Sequence, residues 1–218
     1  FSRISNMATG ARLPQKRKLT RAKAGSKGRV AHENSNGTRG PARKLTYQDY
    51  CNAPEDERFE LIDGVLLMTP ASRFFHQNII VKLLTALEEH VESGGLGTVL
   101  VAPCDVILTP NDTVQPDILF VHKDRAAIIE DRGVCGAPDL CIEVLSETSM
   151  HRDRVVKRAL YHKHGVKEYW LVSPEARTIE VLNWAKAGYK RSGLFGEGDT
   201  LTSPLVAGFT PNVSRFFK

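Results

Sequence analysis

The sequence predicts an α/β (α+β) fold, with a central mixed β-sheet flanked by helices and β-hairpins near both ends of the folded region. Short aliphatic runs bounded by Pro, Gly, Asp or Ser predict buried strands. Residues 75–92 repeat apolar side chains at helical spacing, and a second helical pattern follows the apolar run at 139–146. At 218 residues the chain is long enough for one or two domains with a substantial core.

The folded region is predicted to begin with a short helix and a hairpin. Thr46 and Asp49 mark a helix start, and the helix is expected to reach about Cys51. The run FELIDGVLLMT then predicts two strands joined by a tight turn at Asp63–Gly64. Glu60 lies in the first of these strands, where alternation alone would turn it toward solvent.

The long helix at 75–92 is predicted from a single apolar face. That face is made of Ile79, Ile80, Leu83, Leu84, Leu87 and Val91. Gly94 and Gly95 supply the end of the helix. Because the opposite face is polar, the helix should cover one side of the sheet.

Three predicted strands follow the long helix. A break at Pro103 separates a strand at 98–102 from a strand at 105–108. The third strand is opened by Pro116, at a position where proline is tolerated, and it carries Asp117.

The remaining predicted elements alternate between helix and strand as far as a final hairpin. In order, they are a short helix at 123–130, a strand through Glu143, a helix at about 149–164 stopped by Gly165, a hairpin of 168–172 and 178–184, and a last strand at 189–195. Residues 196–218 are predicted mostly as loop.

Charge divides the chain into a basic tail at 1–45 and a folded domain at 46–218. The tail contains 12 Lys or Arg residues and one acid, Glu33, whereas the rest of the chain has a net charge of about −6. The tail is poor in aliphatic side chains and is expected to be disordered. It could add nonspecific phosphate contacts, or it could be a solvated tail or a non-native extension.

Several protein classes are disfavoured by the sequence. No apolar run approaches the roughly 20 residues that span a bilayer, and the start does not resemble a signal peptide. The four cysteines form neither a CxxC pair nor a zinc-binding spacing. We therefore expect a cytoplasmic protein with reduced thiols and no membrane partner.

Two carboxylates lie inside otherwise apolar predicted strands. An ionised Asp117 or Glu143 is costly to remove from water unless it is paired, protonated or bound to a cation. Neighbouring strands lie roughly 5 Å apart, so the two charges would repel unless a metal ion or a lysine lay between them. Hard oxygen ligands without Cys or His favour Mg²⁺ or Mn²⁺. Such an ion could activate water against a phosphodiester.

A polar stripe follows on the next predicted helix. Asp153, Lys157 and Tyr161 repeat every four residues and so share one face. If the helix packs on the sheet, Lys157 can point back to the Glu143 strand, where it would orient water or neutralise developing negative charge. The alternative is an ordinary surface ion pair that contributes little to stability.

These residues resemble the Pro-Asp…(Asp/Glu)-x-Lys signature of the restriction-endonuclease-like nuclease superfamily. More specifically, the chain resembles a bacterial family of predicted restriction endonucleases, abundant in cyanobacteria and long described only as a domain of unknown function. The resemblance covers roughly residues 45–217. The matching segments are FELIDG (59–64), His76, VQPDILFV (114–121), GAPDLCIEVLS (136–146), the D-x-x-x-K-x-x-x-Y stripe (153–161) and GVKEYWLVSPEART (165–178).

The resemblance implies a restriction-endonuclease-like core and metal-dependent hydrolysis of DNA, most simply double-stranded DNA. Asp117 and Glu143 would be the ligands of Mg²⁺ or Mn²⁺, and Glu60 would be an additional catalytic carboxylate. The chain departs from the superfamily pattern because Leu145 stands where the lysine is expected. In this family the role of that lysine falls to the helix residue Lys157, which would position or deprotonate the attacking water.

His76, Asp153 and Tyr161 are expected at the edge of the site or in contact with substrate. Because the body is not basic, a homodimer, the basic tail or a partner could supply further attraction for DNA. Two alternatives stay open. One is a non-catalytic member of the fold that binds nucleic acid or a partner, which is favoured if Lys157 cannot reach the carboxylates. The other is a nuclease that acts on RNA or on single strands.

Overall fold

The structure, a computed structural model, describes residues 43–54, 57–69, 71 and 73–218. Most of this part of the chain is built from short strands and three helices. The strands are β1 Phe59–Ile62, β2 Val65–Met68, β3 Gly97–Val101, β4 Val106–Thr109, β5 Asp112–Val114, β6 Ile118–His122, β7 Ile129–Glu130, β8 Gly133–Cys135, β9 Leu140–Val144, β10 Glu168–Ser173, β11 Thr178–Asn183 and β12 Lys190–Phe195. The helices are α1 Tyr47–Cys51, α2 Phe74–Ser93 and α3 Arg158–His164, with a π-helical segment at Arg152–Lys157 and 3₁₀ turns at Lys123–Ile128 and Val213–Arg215.

A central six-stranded sheet has the order β12-β11-β10-β9-β6-β3. Strands β9 and β10 are parallel, and the other neighbours in this sheet are antiparallel. Helix α2 buries Ile79, Leu83 and Leu87 in one apolar core with side chains from β6, β9 and β10. The predicted apolar face of the long helix therefore covers this sheet, as its spacing requires.

A second six-stranded sheet has the order β2-β1-β5-β4-β8-β7. It begins with the hairpin of β1 and β2, whose turn residues Asp63 and Gly64 have φ values of 51° and 74°. Left-handed backbone at both positions matches the twist of the flanking strands, which explains the Asp-Gly sequence. A Cβ at residue 64 would lie 2.5 Å from the Cβ of Lys44, so glycine at this position also leaves room for Lys44.

The two sheets are joined by a second apolar core. It includes Val106 and Val114 from the second sheet, Leu119 and Tyr169 from the central sheet, and Tyr161 from α3. Helix α3 thereby contributes to the packing of both sheets. This arrangement brings β1 of the second sheet close to the segment that carries Lys157.

The predicted fold class is confirmed, and the boundaries of the long helix and of both predicted hairpins agree with the structure to within one or two residues. The main differences are short elements. Strands β5, β7 and β8 contain only two or three residues, too few to show periodicity in sequence. The helix expected at 123–130 is a 3₁₀ turn followed by β7.

Residues 1–42, most of the predicted basic tail, lie outside the described part of the chain. Residues 43–45 contact the domain that follows. Arg43 Nη2 lies 2.8 Å from Asp49 Oδ1, and the Leu45 N–H donates to the Gly64 carbonyl at 2.9 Å. No helix in the described residues is long and apolar enough to cross a membrane, and their four cysteines are free thiols.

Candidate active site

An open cleft of about 470 Å³ lies where the central sheet, the start of α2, β1 and the π-helical segment meet. It gathers most of the side chains singled out from the sequence. The cleft is lined by Glu60, His76, Asp117, Glu143, Asp153 and Lys157, among others. Residues that are far apart in sequence therefore share one solvent-accessible cavity.

Asp117 and Glu143 come from antiparallel neighbours in the central sheet. Asp117 directly precedes β6 and Glu143 lies in β9, and the pairing of Ile118 with Ile142 brings the two residues close together. The Val144 N–H donates to Asp117 Oδ2 at 2.8 Å, which holds the aspartate against the edge of β9. Its other oxygen, Oδ1, lies 3.4 Å from His76 Nε2 on α2.

Lys157 is buried among three carboxylates. Its Nζ lies 2.7 Å from Glu60 Oε1, 2.8 Å from Glu143 Oε1 and 3.8 Å from Asp153 Oδ1, and only 3% of Lys157 is exposed. Burial disfavours the ammonium, but the charges of Glu143, Glu60 and Asp153 outweigh it and raise the pKa of Lys157. Lys157 is therefore held as a cation at the centre of the site.

Burial still opposes the ionisation of Glu143 and Asp153 despite this cation. Burial raises the pKa of Glu143 well above its usual value; Lys157 opposes the rise, and Asp153, Asp117 and Glu60 reinforce it. Burial also raises the pKa of Asp153, against the influence of Lys157. Protonation or a further cation would relieve the repulsion that remains between these carboxylates beside Lys157 and Arg152.

The helix that carries Lys157 is not regular. Residues Arg152–Lys157 form a π-helical segment that continues directly into α3, where the sequence predicted one uninterrupted helix. Such widened turns are often found at functional sites. Lys157 lies at the end of the widened turn, and the Asp153–Lys157 pair predicted from the i, i+4 spacing is long at 3.8 Å.

Tyr161 lies behind the cleft rather than in its lining. Its hydroxyl donates to Glu143 Oε1 at 2.8 Å, and the residue is fully buried. From the residues that the structure describes, Lys157 and Tyr161 both donate to this one oxygen, which leaves Oε2 available to a ligand. Tyr161 can therefore act on substrate only through Glu143.

Glu60 is buried rather than solvent-facing. Only 2% of the residue is exposed, because the π-helical segment covers this face of β1. Its Oε1 accepts from the Gln115 N–H at 3.0 Å as well as from Lys157, and its Oε2 lies 3.2 Å from Arg152 Nη1. Glu60 thus connects the hairpin to the helix and to the segment that leads into β6.

Comparisons with known proteins identify the family of this chain. The model of a family named Uma2 and described as "Putative restriction endonuclease" matches residues 46–214. The chain belongs to this family. The predicted family is therefore confirmed, and residues 46–214 include every candidate site residue.

One solved structure supports the fold of this Uma2 family member. A crystal structure described as a "putative nuclease", from Anabaena variabilis, matches with a TM-score of 0.66 over 79% of this chain and 97% of that chain, at 20% identity. A second match, the type IIG restriction endonuclease BpuSI, has a TM-score of only 0.38 and 14% identity, over 66% of this chain and 15% of that one. Among curated proteins there is no match. The first likeness confirms a restriction-endonuclease-like fold.

The chemistry of the donor set in this Uma2 cleft fits a hard divalent cation. Within the described residues no three His, Cys, Asp or Glu side chains form a ready-made metal-binding group. Mg²⁺, however, is usually held by only one or two carboxylates together with waters and substrate phosphates. Asp117 and Glu143 supply two such carboxylates, in a cleft lined by six acidic and four basic side chains.

The cleft residues that were not singled out from the sequence include Arg58, Gln115 and Arg152. Arg152 neighbours Asp153 in the sequence and donates to Glu60 and to the Met68 carbonyl. Gln115 directly precedes the Pro-Asp pair, which is the one sequence signal that could have drawn attention to it. Arg58 directly precedes the FELIDG segment (59–64) and is not itself part of a quoted motif.

Proposed function

We propose that this chain is a Mg²⁺-dependent endonuclease, also active with Mn²⁺, that hydrolyses phosphodiester bonds of double-stranded DNA. The main support is the meeting of Asp117, Glu143 and Lys157 in one open cleft of a chain whose family is described as "Putative restriction endonuclease". Catalysis of phosphoryl transfer depends mostly on positioning and electrostatic stabilisation, and this cleft offers groups suited to both.

Asp117 and Glu143 would hold the divalent ion. When bound, the ion supplies polarisation of a phosphoryl oxygen and a water of lowered pKa. The fixed position of Asp117 on the Val144 N–H and of Glu143 on Lys157 and Tyr161 supports this assignment. Both carboxylates would then meet the ion without rearranging first.

Lys157 would act as an ammonium. Because three carboxylates raise its pKa, it is suited to orienting the attacking water by donating to it and to stabilising the negative charge that develops on the phosphoryl oxygens. It is poorly suited to removing a proton from that water. Glu60 would serve to keep the ammonium at the centre of the cleft through its 2.7 Å contact.

The remaining candidates would support these groups. His76 Nε2 lies 3.4 Å from Asp117 Oδ1 and would orient that carboxylate or contact substrate at the cleft edge. Asp153 would hold Lys157 from its own helix, and Tyr161 would fix Glu143. The acidic body makes the basic residues 1–45 or a homodimer the natural source of further attraction for DNA.

The test is incubation of the full chain with supercoiled plasmid in Mg²⁺ or Mn²⁺. EDTA and the Glu143→Ala variant serve as negative controls, and Arg132→Ala, a surface variant outside the cleft, serves as the positive control. We expect nicking that requires the ion and disappears in Glu143→Ala only. Size-exclusion chromatography of the active species then distinguishes a monomer from a homodimer.

Other outcomes point elsewhere. Cleavage of RNA or single-stranded DNA but not of duplex DNA would change the proposed substrate. The proposed catalytic residues would stay the same. No cleavage, together with no Mg²⁺ binding by calorimetry, would refute the proposal and favour a non-catalytic module.

A further inference from the structure

Arg58 differs from the other buried or half-buried cations of the cleft. Lys157 is compensated by three carboxylates, and Arg152 is paired with Glu60 at 3.2 Å. Within the described residues, no carboxylate lies at ion-pair distance from Arg58, which lines the same cleft. Among the described residues, its positive charge is not cancelled by a carboxylate.

The guanidinium of Arg58 is held by a neutral partner. Its Nη2 donates to Gln115 Oε1 at 3.0 Å, while Nε is buried without an acceptor among the described residues. A carboxylate in the place of Gln115 would have fixed the guanidinium and cancelled its charge. An amide oxygen fixes the group and leaves its charge and its other Nη donors without an acceptor among the described residues.

The orientation of Gln115 is itself determined. Its Nε2 donates to Asp105 Oδ1 at 2.9 Å and to the Tyr50 hydroxyl oxygen at 3.1 Å, and that hydroxyl donates to the same Asp105 oxygen at 2.7 Å. Because an ionised carboxylate only accepts hydrogen bonds, the amide nitrogen must face Asp105, and the amide oxygen must face Arg58. Hydrogen bonds to Tyr50 and Asp105 thus fix Gln115, and Gln115 in turn orients the Arg58 guanidinium.

We propose that Arg58 binds a phosphate of the nucleic-acid backbone beside the Asp117 and Glu143 carboxylates, and that Gln115 is the positioning residue that aims it. This inference rests on the proposed function and identifies a substrate contact within it. The planar, multi-donor guanidinium matches the oxygens of a phosphodiester, and a preoriented fork loses less freedom on binding. Arg73 also lines the cleft but is exposed, so we expect it to contribute long-range attraction only.

The first measurement is binding of a short fluorescein-labelled DNA duplex by anisotropy, in Ca²⁺, across a series of KCl concentrations. Loss of one phosphate contact should lower the slope of log affinity against log salt by about 1. We expect this change in Arg58→Ala. Arg132→Ala removes one arginine that is paired with Glu130 outside the cleft, and it should keep the wild-type slope.

The second measurement replaces single phosphates of the duplex with uncharged methylphosphonates. A charge-assisted contact should make wild-type affinity fall about tenfold or more at one phosphate. In Arg58→Ala that sensitivity should vanish at the same phosphate and persist elsewhere, because the two changes remove the same interaction. Arg132→Ala should keep the wild-type profile.

Gln115→Leu tests the positioning of the Arg58 guanidinium separately from the charge of Arg58. It keeps the Arg58 charge, so the salt slope should stay near wild type, while the sensitivity at that one phosphate should fall. A merely structural role for Gln115 would lower the melting temperature and leave the methylphosphonate profile unchanged. Arg58→Lys, which keeps the charge without the fork, should behave like Gln115→Leu and guards against misfolding of Arg58→Ala.

The outcomes distinguish this inference from the function on which it rests. Wild-type binding with the same salt slope and the same profile in Arg58→Ala would overturn the role of Arg58 alone. A wild-type chain that neither binds duplex nor nicks plasmid would overturn the proposed function and this contact together.

Discussion

Removing the ammonium of Lys157 while keeping its bulk is the sharpest perturbation that the structure allows. Lys157→Met leaves an unbranched apolar side chain in the same space and takes a positive charge away from Glu60, Glu143 and Asp153. Both close contacts, at 2.7 Å and 2.8 Å, are lost from groups that are almost entirely buried. Breaking a buried ion pair by removing one partner costs about 3–5 kcal/mol, because the other charge stays buried without compensation.

We therefore expect the free energy of unfolding to fall by about 3–5 kcal/mol, measured by urea denaturation in EDTA at neutral pH. Adding Glu143→Gln to Lys157→Met should recover part of this loss, because Glu143 has no second cation partner among the described residues, whereas Glu60 is still paired with Arg152. Plasmid nicking by Lys157→Met should also fall, while calorimetry should still detect Mg²⁺ binding. A loss below about 1 kcal/mol, or strict additivity of the two substitutions, would refute the buried network described above.

Three further predictions concern the metal site, the core and acid stability. Glu143→Ala should abolish Mg²⁺ binding in calorimetry and keep a folded circular dichroism spectrum, since Glu60 still pairs with Lys157; loss of the fold would count against a metal-ligand role. Glu168→Ala leaves four donors without their buried acceptor, so urea denaturation should show a loss of at least about 3 kcal/mol, and a near-neutral result would contradict the hydrogen bonding seen here. Burial of Asp139 opposes its ionisation, but Lys167 and Arg125 prevail and lower its pKa, so its folded-state pKa lies below the unfolded value near 3.8. Its contribution to stability is then present above that value and is lost as the pH falls through the folded pKa; Asp139→Asn should flatten the dependence of unfolding free energy on pH below about pH 4, and an unchanged acid limb would refute the assignment.

Much of the candidate site could be predicted because its residues break local rules. Asp117 and Glu143 are carboxylates within apolar strand sequence, a combination that folding alone disfavours. Lys157 was included because its spacing from Asp153 and Tyr161 places the three side chains on one helix face. The structure brings all five of these residues to one place, although Tyr161 supports the cleft from behind.

Other features carry no comparable local signal. Arg58 and Arg152 are ordinary polar residues in sequence, and their position depends on how the second sheet meets the helix. Burial of Glu60 likewise contradicts simple alternation, because the π-helical segment covers a strand face that a lone hairpin would expose. The widened turn at Arg152–Lys157 has no counterpart in the helical periodicity of the sequence, which predicts a regular helix here.

The contact of Lys157 with both Glu60 and Glu143 has a mechanical consequence. Glu60 belongs to the second sheet and Glu143 to the central sheet, so one ammonium fastens two sheets at the point where chemistry is proposed. Any opening that separates the two sheets must break the contact of Lys157 with Glu60 or with Glu143. We therefore expect the proposed plasmid-nicking activity to be lost on heating at the temperature at which the amides of β1 first exchange with solvent, before the central sheet melts.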